Sequence, residues 1–271
     1  MTIGFLIVLL GLGAFVGFAA GLLGIGGGMV LVPFLNYMLP RIGIPQDLAV
    51  HAAIATAMGT IVFTSLSSVR AHQKHKAIHW DVVKLMVPGI VLGGFVSGGA
   101  IFAMISNELL AIIFVAFVYI SALRMLRKSK PDAALVLPPR WVTAAFGFVV
   151  GVISGLLGAG GGFLSVPYLV RANLDMARAV ATSAALGFFI ALANSVGYIW
   201  SGYETTKNIH GMLGYNYWPA LIALTVTSVL TAPLGAAAAH RLPVNQLKRI
   251  FAGLLFILGT QMIYETFFAH G

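Results

Sequence analysis

The chain has 271 residues, of which 59% are hydrophobic and only 8% are charged, whereas an ordinary soluble domain is about 25% charged. So few charges cannot cover the surface of a soluble protein of this length, and the composition favours a membrane protein with lipid-facing apolar side chains. The net charge of +9 falls in short clusters between apolar runs, which disfavours binding of nucleic acid. The chain lacks cysteine, which excludes disulfides and thiolate metal sites.

Ten apolar segments follow one another, five in each half, and predict an all-α, polytopic transmembrane helical bundle. They cover residues 3–23, 27–39, 48–69, 80–104 and 108–126, then 141–157, 161–172, 178–200, 216–239 and 246–268. The first run has no basic leader and is too long for a signal-peptide core, so we interpret it as a mature helix. The second segment of each half would rise only about 20 Å as a helix, less than the roughly 30 Å hydrocarbon core. Each is therefore a re-entrant arm or a broken helix.

The two halves repeat each other in sequence. Residues 17–35 read GFAAGLLGIGGGMVLVPFL and residues 151–169 read GVISGLLGAGGGFLSVPYL, with eleven of nineteen positions identical. A second match aligns Ala-Ile-Ala-Thr at 53–56 with Ala-Val-Ala-Thr at 179–182. Because a repeat of this length reflects two related structural units, we predict a first transmembrane repeat at 1–134 and a second at 135–271.

The distribution of basic residues predicts how the two halves are oriented. If each half crosses the membrane five times, the second half is inverted relative to the first. The basic loops 70–76 and 124–140 then lie on the same side of the membrane as the basic loop residues of the second half. If each half crosses four times, those second-half bases fall on the opposite side. The positive-inside bias favours the inverted repeat, a plan that recurs in secondary transporters with the substrate site between the repeats.

The motif GLLGxGGG occurs in both halves, and its three consecutive glycines disfavour a continuous helix. Irregular backbone within a membrane is tolerated where it lines a cavity, and the helix N-termini that follow the breaks suit an anion. We therefore predict a substrate site that combines the glycine runs with polar residues at membrane depth. It comprises Gly26, Gly27, Gly28, Thr56, Gly160, Gly161, Gly162, Thr182, Ser183 and Asn194. The alternative interpretation is close helix packing through GxxxG pairs such as Gly17/Gly21 and Gly151/Gly155.

The acidic residues argue against other functions. All seven lie in loops or near segment ends, namely Asp47, Asp81, Glu108, Asp132, Asp175, Glu204 and Glu265. A carboxylate-driven cation pump is therefore disfavoured, and no HExxH motif or paired intramembrane acids point to an enzyme. His72, His75 and His79 stand among basic residues in a loop, which we interpret as solvated and not as a metal site. We expect neither a metal nor a cofactor.

The doubled glycine motif, the two Ala-x-Ala-Thr segments, the loop SSVRAHQKHKAIHWD and the closing RLPVNQLKRIFAGLLFILG together closely resemble the TauE/SafE family of bacterial membrane permeases. The resemblance covers nearly the whole chain and implies export of sulfite, sulfoacetate or a related organosulfonate across the bacterial inner membrane. The expected partners are this small anion and membrane lipid. An anion channel of the same architecture and a non-transporting membrane scaffold are the alternatives. The sequence leaves open the coupling ion, the direction of transport, and whether the protein is a monomer or a homo-oligomer.

Overall fold

The computed structural model describes residues 3–23, 27–126, 138–238 and 244–268. Within these ranges the chain forms helices and one antiparallel two-stranded hairpin, in which β1 (Met212–Leu213) pairs with β2 (Asn216–Tyr217). A π-helical turn, Val96–Ile101, joins α4 to α5. The helices are α1 (Ile3–Leu23), α2 (Gly28–Met38), α3 (Ala49–Lys74), α4 (Trp80–Phe95), α5 (Phe102–Met104), α6 (Asn107–Leu126), α7 (Arg140–Leu157), α8 (Gly162–Arg171), α9 (Met176–Thr206), α10 (Trp218–Ala238) and α11 (Val244–Phe267).

Seven of the described helical spans are long and apolar enough to cross a membrane. The share of residues buried inside the protein is 83% in the span Gln46–Lys74 and 78% in Met176–Thr206, against 39–44% in the other five. Large apolar side chains on the outer helices are exposed, for example Leu230 and Leu234 on α10, and they suit contact with lipid. The chain is therefore a helical multi-pass membrane protein with α3 and α9 at its centre.

Two helices are too short to cross a membrane alone. Helix α2 has 11 residues and α8 has 10, so each rises about 15–17 Å, roughly half of the hydrocarbon core. Their N-cap residues, Gly27 and Gly161, both have a φ of 72°, in the left-handed region that favours glycine. Each glycine run therefore ends in a sharp turn that starts a short helix, which agrees with the prediction of either a re-entrant arm or a broken helix.

The largest helix contacts join α1 to α10, α4 to α7, α3 to α9, α3 to α10 and α6 to α11. Glycine explains how closely α1 approaches α10, because a Cβ atom on Gly17 or Gly21 would overlap backbone atoms of Ser228 or Ala232. On α7, Gly151 packs in the same way against the backbone of α4. These glycines therefore do let helices touch, as the packing interpretation of the GxxxG pairs proposed.

Contacts along the two central helices fix their relative direction. On α3, the ring of His51 lies 5.1 Å from the ring of Tyr215, whose backbone N–H donates to the carbonyl of Tyr198 on α9. Farther along α3, Ser65 lines a cavity with Ser183, which lies earlier on α9. Residue numbers thus rise along α3 where they fall along α9, so the two helices run antiparallel.

Helix α10 runs in the same direction as α3. The backbone N–H of Tyr217, just before α10, donates to Thr56 Oγ1 at 2.9 Å. Eight residues farther along α3, Thr64 Oγ1 lies 2.8 Å from Ser228 Oγ. Helix α1 also runs parallel to α10, because Gly17 approaches Ser228 and Gly21, one turn later, approaches Ala232. The helices α1, α3 and α10 are therefore parallel to one another.

Candidate functional site

A cavity lies between the two central helices, close to the start of α8. It is lined by α3, α9, the loop that precedes α8, and one residue of α1. Small and hydroxylated residues predominate in its lining, and none of the lining residues is charged. They are Ala20, Ile61, Thr64, Ser65, Ser68, Gly160, Ser183, Ala184 and Gly187.

Hydrogen bonds hold the hydroxyl groups of the cavity in place. On α3, Thr64 donates to the carbonyl of Thr60 at 3.0 Å, and Ser65 donates to the carbonyl of Ile61 at 2.6 Å. On α9, Ser183 Oγ lies 2.7 Å from Ser165 Oγ of α8. Ser165 Oγ also donates to the carbonyl of Gly161 at 2.9 Å, and a hydroxyl has only one hydrogen to donate, so Ser183 is the donor to Ser165.

The N-terminus of α8 faces the same region. Gly160 lines the cavity, and the carbonyl of the N-cap residue Gly161 accepts the N–H groups of Leu164 and Ser165 at 3.0 and 2.9 Å. The first N–H groups of a helix have no partner within the helix, and they carry the positive end of its dipole. A helix start beside several hydroxyls is an arrangement that favours a small anion.

The cavity is narrow in this conformation. With a volume of about 20 Å³, it has room for one or two water molecules. A sulfonate or sulfite ion needs more room than one or two waters. The helices around the cavity must therefore separate before such an ion binds.

The two glycine motifs meet in the middle of the protein. Gly28 packs against Gly158, where a Cβ atom on Gly28 would overlap the Gly158 carbonyl oxygen. Of the predicted site residues, Gly160 and Ser183 line the cavity itself, and Gly27, Gly161 and Gly162 shape the starts of α2 and α8. Gly26 lies outside the described residues.

Thr56 and Thr182 hold matching positions in the two halves, although neither lines the cavity. Each is fully buried and binds the backbone just before a long helix of the other half. Thr56 Oγ1 accepts the N–H of Tyr217 before α10 at 2.9 Å, and Thr182 Oγ1 accepts the N–H of His79 before α4 at 3.1 Å. Both threonines thus tie the halves together, and their role as anion donors stays a prediction.

Asn194 is also apart from the cavity. Its Nδ2 donates to the carbonyl of Ile190 at 2.8 Å, and its side chain packs where a Cβ atom on Gly155 would overlap it. Its Oδ1 is buried and has no hydrogen-bond partner within the described parts of the chain. Asn194 therefore belongs to the contact between α9, α7 and α4, and its predicted substrate contact also stays a prediction.

The predicted site omitted several residues that line the cavity, among them Thr64, Ser65, Ser68 and Gly187. A pattern in the sequence could have found part of this set. Thr60, Thr64 and Ser68 recur every four residues within an apolar helix, which places them on one face. Gly187 had no such signal, because its contribution depends on how α9 crosses α3.

The hairpin between α9 and α10 was not predicted from the sequence, which assigned residues 216–239 to one apolar segment. Gly211 and Gly214, with φ values of 83° and 54°, bracket β1 and give the turn conformations that a tight hairpin requires. A Cβ atom on Gly214 would meet the backbone of Ile199 and Tyr198 on α9, so the tip of the hairpin is inserted against that helix. Burial raises the pKa of Tyr215 and of Tyr217, so both phenols stay neutral.

Comparison with known proteins identifies the family of this chain. A family model described as "Sulfite exporter TauE/SafE" matches residues 9–262. The chain belongs to the TauE/SafE family. Among its relatives, a probable membrane transporter protein of Haemophilus influenzae is 34% identical over 96% of this chain and 99% of its own length. The probable membrane transporter protein YunE of Bacillus subtilis is 28% identical over 97% of this chain and 99% of its own.

A more distant relative, a probable membrane transporter protein of Methanocaldococcus jannaschii, is 26% identical over 93% of this chain and 92% of its own length. No solved structure matches the chain. These TauE/SafE relatives are named as membrane transporters and not as enzymes, as the sequence predicted for this chain.

Proposed function

We propose that the protein transports a small oxyanion, such as sulfite, sulfoacetate or a related organosulfonate, by alternating access through the cavity between α3 and α9. The cavity lining carries this proposal. Its hydroxyls can rotate from their protein acceptors to donate to an anion, and the N-terminus of α8 adds N–H donors. None of its residues is a carboxylate that would repel an anion. Donors of this kind hold an anion without trapping it, because transport requires that the ion leave again.

The proposal includes an inverted repeat of two five-segment units, 1–134 and 135–271. Two observations support it. The counterpart helices α3 and α9 run antiparallel, and α3 runs parallel to α10. In two parallel halves of four crossings each, α3 and α10 would instead point in opposite directions. The reciprocal bonds of Thr56 and Thr182 to the opposite halves are what a two-fold relation between the units produces.

The charges near the cavity support export across the bacterial inner membrane. Ser68 lies two residues before Arg70 near the end of α3, and Ser183 lies five residues after Arg178 near the start of α9. Both basic residues belong to the side that the positive-inside bias assigns to the cytoplasm. Although Arg178 pairs with Asp175 at 3.3 Å, the positive charge of Arg70 attracts anions to this end of the protein, so an ion reaches this site from the cytoplasmic side and leaves on the other.

Reconstitution into proteoliposomes tests the proposal. Uptake of labelled sulfite, sulfoacetate, methanesulfonate, sulfate and acetate is measured against protein-free vesicles. We expect sulfite or a sulfonate to move faster than acetate, and to exchange against an excess of the same unlabelled ion on the far side. Movement that only follows the electrochemical gradient, without such exchange, supports the channel alternative. Absence of flux for every anion in correctly inserted protein contradicts the proposal and favours a scaffold.

A further inference from the structure

The hairpin Gly211–Tyr217 carries a buried side-chain amide that does not line the cavity. Asn216 is 3% exposed, and neither its Nδ2 nor its Oδ1 has a hydrogen-bond partner in the described part of the structure. Buried amides are ordinarily hydrogen-bonded, because an unpaired polar group in an apolar interior is unfavourable. The donors and the acceptor of this side chain are therefore available to a bound molecule.

Capping of the adjacent helix does not explain Asn216. Asparagine often caps a helix by accepting an N–H group with its side-chain oxygen, and α10 begins only two residues later. Here the N–H of Tyr217 donates to Thr56 Oγ1 at 2.9 Å, and the N–H of Trp218 donates to the carbonyl of Gly211 at 2.9 Å. The backbone around Asn216 is thus satisfied by other groups.

Asn216 lies at one end of a row of hydroxyls on α3. At the other end, Thr64 lines the cavity and donates to the carbonyl of Thr60, and Thr60 donates to the carbonyl of Thr56, each at 3.0 Å. Asn216 meets the row beside Thr56, where a Cβ atom on Gly59 would lie 3.0 Å from Asn216 Oδ1. The row from Thr64 to Thr56 extends about 12 Å along the helix, away from the basic end of α3.

We propose that Asn216 forms a second binding position for the transported oxyanion, about 12 Å from the cavity along α3. This inference rests on the proposed transport function. The two Nδ2 hydrogens donate to the oxygens of a sulfite or sulfonate ion, and the neutral amide, unlike an arginine, releases it readily. The absent side chain of Gly59 gives the amide its room on α3. Two stations about 12 Å apart let an ion move in steps, as conduction through several weak sites requires.

Replacement of Asn216 by leucine separates binding from packing. Leucine keeps the branched shape and removes the unpaired polar atoms, so the melting temperature of the purified protein stays equal or rises. We expect transport of sulfite and methanesulfonate in proteoliposomes to fall at least tenfold. Asn216→Ala gives the same test without added volume and decides the outcome if the leucine variant does not fold. Thr206→Val is the control. The Thr206 hydroxyl donates to the Gly214 carbonyl at 2.7 Å and so anchors the hairpin, but it does not belong to the row of hydroxyls on α3.

The results distinguish the two proposals. A large loss of transport in the Asn216 variants, with a melting temperature at or above that of the wild type and near-normal transport per folded molecule in Thr206→Val, supports the second binding position. Transport within twofold of wild type in a folded Asn216 variant overturns it. Equal losses in the Asn216 variants and in Thr206→Val assign the effect to the hairpin fold and also overturn it. If the wild-type protein moves none of these anions, the proposed function fails instead.

Discussion

Gly28, the first residue of α2, packs against the carbonyl oxygen of Gly158, the left-handed residue that ends α7. The two glycine motifs therefore touch at the centre of the protein. Both α2 and α8 begin close to this contact. Because of this contact, a larger residue in place of Gly28 disturbs helix packing, whether or not the glycine also contacts an anion.

We expect Gly28→Ala to lower the free energy of unfolding by about 1–3 kcal/mol, because its Cβ would overlap a backbone oxygen that cannot move aside. Gly11→Ala is the control: no atom lies within 4 Å of a Cβ at Gly11, so alanine there is neutral or slightly stabilising. Thermal unfolding in detergent measures both variants. Equal melting temperatures would show that the motifs are not in close contact.

The left-handed φ values at Gly27 and Gly161 affect the choice of variants for the anion site. Alanine at either position is strained whatever the ligand does, at a cost of about 1–2 kcal/mol. Loss of binding in those variants would therefore not identify a site. The hydroxyl groups of the cavity give a cleaner test.

We expect Ser65→Ala and Ser183→Ala each to reduce sulfite transport roughly tenfold, because a hydrogen bond to a charged group contributes about 1.5–3 kcal/mol. Ser67→Ala is the matched control on the same helix, since Ser67 donates to the carbonyl of Val229 on α10 at 2.8 Å and does not line the cavity. Initial rates in proteoliposomes provide the measurement. Equal rates in all three variants would remove the cavity from the transport path.

Thr56→Val and Thr182→Val should each destabilise the protein by about 1–3 kcal/mol, because each leaves a backbone N–H, buried at Tyr217 and partly buried at His79, without its acceptor. Thr56→Ser restores the acceptor and should recover most of the stability. Transport per folded molecule, measured alongside the melting temperature, tests the predicted anion contact of the two threonines. Normal stability in both valine variants would contradict the cross-half hydrogen bonds.

Cysteine labelling can test the inverted topology, since the natural chain contains no cysteine. Asp47 before α3 and Ala177 in the first turn of α9 are exposed and lie close to the starts of the two counterpart helices. We expect Asp47→Cys to react with an impermeant thiol reagent from outside intact cells. Ala177→Cys should react only after the cytoplasmic face is opened. Reaction of both cysteines from outside would indicate parallel halves.

The carboxylates should not be required for transport. Each acidic residue can be replaced by its amide. Glu265→Gln is the strictest test, because the Glu265 side chain is only 7% exposed and lies 3.1 Å from Arg41. We expect transport to persist, with stability lowered by about 1 kcal/mol, since Arg41 remains half exposed and solvated. Asp81→Asn is the control at an exposed position. Abolished transport in a folded Glu265→Gln variant would identify a coupling site.

The sequence alone determined the class of protein and the positions of its helix breaks. Composition predicted a membrane protein, because only lipid tolerates so apolar a surface, and the family comparison and the membrane-length helices agree with it. The doubled glycine motif located the starts of α2 and α8, because three consecutive glycines both disfavour helix and permit the left-handed turn. These are local properties, and local sequence is enough to predict them.

Only the tertiary structure decided which polar groups face one another. Thr56 and Ser65 are both hydroxylated residues in one apolar helix, and nothing local distinguishes them. The first binds the backbone that precedes α10, whereas the second lines the cavity opposite Ser183. The hairpin that buries Asn216 likewise depends on the space left between α3, α9 and α10. Which face of a helix meets which neighbour is set by packing between distant segments, and that information lies in no single stretch of the chain.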